Sequence, residues 1–100
     1  MALNSKQRAK LRGLASEMPA IIQVGKGGVG DNLIKQLDDA LEARELVKIR
    51  LLANFDGEPQ DLANDLANIT NSEVVQKIGN VVVFYRLSKK NPGKGGIANQ

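Results

Sequence analysis

The sequence predicts an α/β fold of two layers, in which three amphipathic helices back a four-stranded mixed sheet. Apolar residues recur at helical spacing in three segments and at strand spacing in four others, in the order α-β-α-β-α-β-β. The 100 residues include 42% hydrophobic and 25% charged residues, an ordinary globular composition with room for one domain. We therefore expect a single domain over residues 1–88 and a flexible, basic, glycine-rich tail at 89–100.

The first helix is predicted to begin near Asn4, because Asn4 and Gln7 have the spacing of a capping box. Pro19 interrupts the helical pattern at the other end. The apolar residues in between recur at helical spacing and are Leu11, Leu14, Ala15 and Met18.

A short apolar strand at 21–24 leads into the glycine-rich loop 25–30. The second helix follows this loop, with Asp31 as its cap or as an acidic residue of its first turn. Its apolar stripe comprises Leu33, Ile34, Leu37, Ala40 and Leu41.

The next strand, at 46–52, alternates apolar residues with Lys48 and Arg50. One face of this strand should be buried and the other basic. Because we expect the helices on one face of the sheet only, Lys48 and Arg50 should point to the exposed face.

A turn at 56–59 introduces the third helix, since proline is suited to the first position of a helix. The predicted buried stripe of this helix comprises Leu62, Ala63, Leu66, Ala67 and Ile69. Two apolar runs at 73–78 and 80–87 then meet at Gly79-Asn80, a pair typical of a β-hairpin turn. Phe84 and Tyr85 lie beside three valines in the last run, so we expect both rings in the core.

Cysteine and histidine are both absent from the chain. Their absence excludes thiolate nucleophiles, Ser-His triads, and zinc or haem sites that need Cys or His ligands. We therefore expect a protein that is not an enzyme and uses no metal or other cofactor and no small-molecule substrate. The longest apolar run, Val81 to Tyr85, is too short to span a membrane, so we expect a protein of the cytoplasm without a membrane partner. We also expect a monomer.

Basic residues are concentrated at the two ends of the chain. Residues 1–12 and residues 86–100 each carry four basic and no acidic residues, whereas residues 13–85 carry six basic and eleven acidic residues. This distribution indicates a polyanionic partner, although basic ends also serve solubility alone.

The loop GKGGVGDN lies between a strand and a helix, where phosphate-binding loops occur. A nucleotide-binding P-loop is disfavoured, because Asp31 and Asn32 stand where the phosphate-binding lysine and the magnesium-binding hydroxyl residue are required. The same residues include a GxxG pattern, two glycines separated by two residues, at Gly25-Lys26-Gly27-Gly28. Such a loop can hold a nucleic-acid backbone because no Cβ atoms obstruct it, but it can also be a tight turn only.

Four separated strings resemble the CRM domain family (chloroplast RNA splicing and ribosome maturation), and within it the small stand-alone bacterial YhbY-type proteins. They are SKQRAKLRGLA at 5–15, IIQVGKGGV at 21–29, ALEARELVKIRL at 40–51 and VVQKIGNVVVFYRL at 74–87. The resemblance implies a fold similar to the C-terminal domain of translation initiation factor three. Relatives often carry a hydroxyl residue at the position of Gly30, so the cap of the second helix is expected to be weaker here or shifted to Asp31.

The resemblance also implies RNA binding without catalysis, and association with precursors of the large (50S) ribosomal subunit through ribosomal RNA. We expect the GxxG loop and the nearby cations to contact the RNA. These residues are Gly25, Lys26, Gly27, Gly28, Lys6, Arg8, Lys10, Arg12, Lys48 and Arg50. The alternative is a protein-interaction module that docks a partner through its exposed sheet face or edge.

Other charged residues have more ordinary explanations. Asp61 and Asp65 lie four positions apart on the third helix and are expected to be solvated rather than catalytic. Arg86 follows the last strand and is equally suited to a structural ion pair and to an RNA contact. The tail lysines Lys89, Lys90 and Lys94 can add nonspecific affinity for RNA through counterion release.

Overall fold

A computed structural model of the protein describes residues 3–90. The elements follow the predicted order: α1 (Ser5–Ser16), β1 (Ile22–Val24), α2 (Asp31–Arg44), β2 (Leu46–Leu51), α3 (Pro59–Thr70), β3 (Glu73–Ile78) and β4 (Val81–Tyr85). The α/β fold class is confirmed. Of the predicted tail, only Lys89 and Lys90 belong to the described residues, and the flexibility expected at 91–100 lies outside them.

The strands form a mixed sheet in the order β1-β2-β4-β3. β1 and β2 are parallel because α2 crosses over between them, whereas β4 is antiparallel to both β2 and β3. The predicted hairpin turn connects β3 to β4, and Gly79 adopts a left-handed conformation there with φ 56°. The carboxyl ends of β1 and β2 therefore lie together, and the glycine-rich loop leaves the sheet at this end.

The helices begin where the sequence predicts. The side chain of Asn4 accepts a hydrogen bond from the Gln7 N–H, and the Gln7 side chain accepts one from the Asn4 N–H, so the capping box is confirmed. Pro59 occupies the first turn of α3, and the Glu58 carboxylate accepts a hydrogen bond from the Asp61 N–H at 2.8 Å. The N-cap of α2 is Gly30, which has no side chain to cap the helix, and Asp31 is the first residue of its first turn.

The larger core lies between the sheet and the two helices α2 and α3. Alternate residues of the strands point into it, together with the apolar stripes of both helices. Its buried members are Ile22, Val24, Leu33, Leu37, Leu41, Val47, Ile49, Leu51, Leu62, Ala63, Leu66, Val82 and Phe84.

A second, smaller core lies on the opposite face of the sheet, where α1 packs against β2 and β3. Its buried members are Leu11, Ala15, Leu46, Val75, Val83 and Tyr85. The expectation that all helices cover one face is therefore wrong. The buried stripe of α1 needed an apolar surface of its own, and the alternate residues of β2 and β4 supply it.

Two further expectations about burial have different outcomes. Phe84 and Tyr85 are both buried, so their assignment to the core is confirmed, and burial raises the pKa of the Tyr85 hydroxyl. Ile69 was expected in the buried stripe of α3 but is 51% exposed. Leu62, Ala63 and Leu66 already contact the sheet, and Ile69 lies at the exposed edge of the helix. None of the helices in residues 3–90 has the length and apolar character needed to cross a membrane.

Candidate nucleic-acid interface

The GxxG loop, residues 25–28, directly follows β1 and leads into α2. Gly27 and Gly28 have φ angles of 98° and 58°, in a region of positive φ that residues other than glycine rarely adopt. The Gly28 N–H donates to the Gly25 carbonyl at 3.3 Å and closes a tight turn. The glycines therefore determine the shape of the loop.

The outer side of this loop is open to solvent. A Cβ atom built on Gly27 would have no neighbour within 4 Å, and one on Gly28 would meet only the Phe55 ring at 3.7 Å. The inner side is close to the segment after β2, because a Cβ atom on Gly25 would lie 3.0 Å from the Asn54 side chain. The loop borders an open groove of about 320 Å³. A backbone strand can approach it from outside without displacing any side chain.

The first turn of α2 adds hydrogen-bond donors beside the loop. The first N–H groups of a helix have no acceptor within the helix and carry partial positive charge. Gly30 offers no side-chain acceptor for them. Asp31 is exposed in the same turn and opposes a bound anion electrostatically. The donors of the loop and the helix therefore favour an anion, with Asp31 acting against it.

Lys26 and Arg50 are two exposed cations near this groove. Lys26 lies in the loop itself, and both side chains are exposed. Arg50 pairs with Gln23 across β1 and β2, and Gln23 lines the groove of the loop. Directly paired residues of neighbouring strands lie about 5 Å apart, so Arg50 is close to the groove. The structure thus brings Arg50 and the loop together.

The four cations of α1 have different environments. Lys6, Lys10 and Arg12 are exposed, whereas Arg8 is half-buried and donates a hydrogen bond of 2.6 Å to the Val74 carbonyl at the edge of β3. Side chains four positions apart share one side of a helix. Arg12 therefore lies on the side of α1 that continues to Ser16, next to the sheet, while Lys6 and Lys10 lie on another side. The four cations therefore lie on two sides of α1, and Arg8 already has a backbone partner.

Lys48 points away from the larger core, as expected, but this side of the sheet carries α1 and the Lys48 ammonium group is not free. It donates hydrogen bonds to the carbonyls of Ala15 and Met18 at 3.1 and 3.0 Å. These carbonyls lie in the last turn of α1 and just beyond it, where cations are favourable. The expectation that Lys48 is exposed on an open sheet face is therefore wrong, because α1 covers the sheet face around Lys48.

Arg86 is buried and belongs to an ion-pair network rather than to an exposed surface. Its guanidinium group donates to the Asp38 carboxylate at 2.6 Å and to the Thr70 carbonyl at 2.7 Å, and lies 3.4 Å from a Glu42 carboxylate oxygen. Of the two alternatives for Arg86, the structural ion pair is confirmed. Asp61 and Asp65 are exposed, as expected.

Glu42 holds the chain segment that follows β4. Its carboxylate accepts hydrogen bonds from the Ser88 hydroxyl at 2.6 Å and from the N–H groups of Lys89 and Lys90 at 2.8 and 3.0 Å. These donors, led by the Ser88 hydroxyl and supported by Arg86, lower the pKa of Glu42 from 4.5 to about 2. Sequence reasoning missed this anchor. The signal available was the spacing of Asp38 and Glu42, which places both on one side of α2.

Glu42 is expected to make the stability of the fold depend on pH. A carboxylate whose pKa is lower in the folded chain stabilises it fully above the ordinary value of 4.5, and this contribution is lost as pH falls toward 2. Glu42→Gln should therefore reduce the free energy of unfolding at pH 7 more than at pH 2.5, as measured by denaturant unfolding of both proteins. A difference between the two proteins that stays constant over this range would contradict the role assigned to Glu42.

A family model for the CRS1 / YhbY (CRM) domain matches residues 3–86. The chain is similar to "Probable RNA-binding protein YqeI" of Bacillus subtilis, with 48% identity over 89 residues that cover 89% of this chain and 93% of the relative. A Haemophilus influenzae protein named "RNA-binding protein" is 32% identical over 89 residues, covering 88% of this chain and 89% of the relative.

A solved structure has the same fold. The solution structure of the Staphylococcus aureus protein SAV1595 matches with a TM-score of 0.75 and 48% identity, covering 90% of this chain and 94% of that chain. Both the sequence and the fold comparisons thus extend over nearly the whole described chain. The chain belongs to the CRS1 / YhbY (CRM) domain family.

Proposed function

We propose that the protein binds RNA through the GxxG loop at 25–28 and acts as an assembly factor on precursors of the large ribosomal subunit. The observation that carries the proposal is the open outer side of this loop, where two left-handed glycines leave the backbone accessible. Lys26 lies in the loop, and Arg50 lies beside it. The names of the relatives as RNA-binding proteins support the same function.

The loop would hold the ribose–phosphate backbone rather than a particular base. Its N–H groups and those at the start of α2 can donate to phosphate oxygens, while Lys26 and Arg50 supply charge. The three aromatic side chains are not arranged as a stacking platform, since Phe84 and Tyr85 are buried and Phe55 is half-buried. The affinity should therefore derive largely from electrostatic attraction.

Salt dependence tests this mechanism. Five of the cations assigned to the interface are exposed: Lys6, Lys10, Arg12, Lys26 and Arg50. If each neutralises one phosphate of a single strand, the logarithm of the affinity should fall against the logarithm of salt concentration with a slope of about −3.5. Fluorescence anisotropy of a labelled RNA oligonucleotide, recorded between about 50 and 300 mM KCl, measures this slope. A slope close to zero would contradict electrostatic binding of the backbone.

Lys26→Ala is expected to weaken RNA binding and to make the salt slope shallower by about 0.7, because one phosphate contact is lost. The matched control is Arg44→Ala, which removes an exposed cation from the opposite end of α2, about 20 Å along the helix. The same anisotropy titration should show little change for the control. Equal losses from both variants would indicate that only the total charge matters and that the loop has no special role.

The role in ribosome assembly extends the resemblance to YhbY-type proteins and has its own test. Extract from a bacterium that expresses the tagged full chain is separated on a sucrose gradient at low magnesium. We expect the protein in fractions that contain large-subunit precursors, and we expect Lys26→Ala to shift it toward the top of the gradient. Migration of the wild-type chain only as free protein would contradict the assembly role while leaving RNA binding itself intact.

A further inference from the structure

α1 leaves part of its own side of the sheet uncovered. It packs over the end of the sheet where Leu46 and Tyr85 pair, so the other end of the same face stays open. Four residues form a row across this open end, each paired with the next: Gln23, Arg50, Val81 and Ile78. With about 4.8 Å between neighbouring strands, the row is about 14 Å long. It begins two residues before the GxxG loop.

The row continues into an apolar groove beside α1 of about 270 Å³. Ile78 lines this groove and is 63% exposed, the highest exposure among the exposed large apolar side chains in residues 3–90. The groove is lined by Ala15, Ser16, Lys48, Gln76, Ile78, Val81 and Val83. None of these residues and none of the row is acidic.

The chemistry of this surface matches an unpaired nucleotide base. Aliphatic side chains provide an apolar floor, and the amides of Gln23 and Gln76 can donate to and accept from the edge of a base. Arg50 in the row and Arg12 on the neighbouring side of α1 attract a polyanion. Because the row begins beside the loop, one RNA strand could contact both. Its ribose–phosphate backbone would lie at the loop, and its bases would turn toward the sheet.

We propose that the row and the groove bind unpaired bases of single-stranded RNA, and this inference rests on the proposed binding of the RNA backbone by the GxxG loop. A duplex has its bases stacked and paired inside the helix and cannot insert them into the groove. The protein should therefore select single-stranded segments, although the loop alone would accept any ribose–phosphate chain.

The experiment compares three labelled RNA probes of about 12 nucleotides. They are a mixed-sequence single strand, the duplex of that strand with its complement, and an abasic strand of the same length as the single strand. The wild-type chain should bind the intact single strand about fivefold or more tighter than either other probe, since apolar contact with bases adds to the backbone term. Ile78→Ser should remove most of this preference and leave the affinity for the abasic strand unchanged. The control Ile69→Ser alters an exposed isoleucine on α3 and should change neither affinity.

The outcomes separate this inference from the proposed function. Equal binding of the intact and abasic strands, with Lys26→Ala still weakening both, would overturn base binding and leave the loop as the RNA contact. An unchanged single-strand affinity of Ile78→Ser would likewise overturn it, and a protein that copurifies at high salt with the wild type but not with Ile78→Ser would assign the groove to a protein partner. Failure of all three probes to bind would instead contradict the proposed function.

Discussion

Replacing Arg86 with alanine is expected to lower the free energy of unfolding by about 3 kcal/mol, the lower end of the range for breaking a buried ion pair. The Arg86 side chain is only 6% exposed and lies between the carboxylates of Asp38 and Glu42, which are 41% and 25% exposed. Without the guanidinium group these two acids repel each other, and the Thr70 carbonyl loses its donor. Because both acids are partly exposed, water can solvate their charges, and the loss in free energy of unfolding stays at the lower end of this range.

Thermal and denaturant unfolding measure this change. For a chain of this size, a loss of about 3 kcal/mol should lower the melting temperature by about 12 °C or more. The control is Lys35→Ala, which removes an ion pair with Asp39 whose side chains are 76% and 65% exposed, and it should cost less than about 1 kcal/mol. A loss below about 1 kcal/mol for Arg86→Ala would show that the network does not stabilise the link between α2 and β4.

The double substitution Gly27→Asp and Gly28→Asp is expected to reduce RNA affinity by about tenfold or more, because two carboxylates would face the phosphates. Both positions are open enough to accept a side chain, so the core should remain intact. The left-handed backbone at both residues costs most side chains roughly 1–2 kcal/mol each, and costs Asp and Asn less. The fold should therefore persist with reduced stability.

The matched control is Gly27→Asn with Gly28→Asn, which has nearly the same shape and the same backbone strain but no charge. We expect the Asn variant to lose a few-fold in affinity through obstruction of the loop, and the Asp variant to lose clearly more. Anisotropy titrations at one salt concentration, with melting temperatures recorded in parallel, distinguish these effects. RNA affinity that survives both double substitutions would show that the loop is only a turn.

Local patterns predicted most of the fold. The capping box at Asn4, the proline at the start of α3 and the Gly79-Asn80 turn each depend on neighbouring residues, so the sequence carries the whole signal. The side of the sheet on which α1 packs could not be predicted in this way. It depends on which face of β2 and β4 the other helices leave free, a property of the assembled sheet.

The candidate site was predicted in part. The shape and the position of the GxxG loop follow from its glycines, and the structure places the loop at the surface beside Arg50. The partners of Arg8 and Lys48 did not follow, because backbone carbonyls have no signature in the sequence. A count of basic residues treats every cation as free. Only the fold shows which of them already serve to hold α1 in place.

If the protein binds RNA as proposed, the GxxG loop and the start of α2 lie against the RNA backbone. The most direct measurement is an NMR titration of the ¹⁵N-labelled full chain with a single-stranded RNA, recording the backbone amide signals. We expect the largest shifts at the amides of residues 25–32 and at Arg50, with little change along α3. Shifts concentrated on α3 or on the edge of β3, with the loop amides unmoved, would contradict the claim.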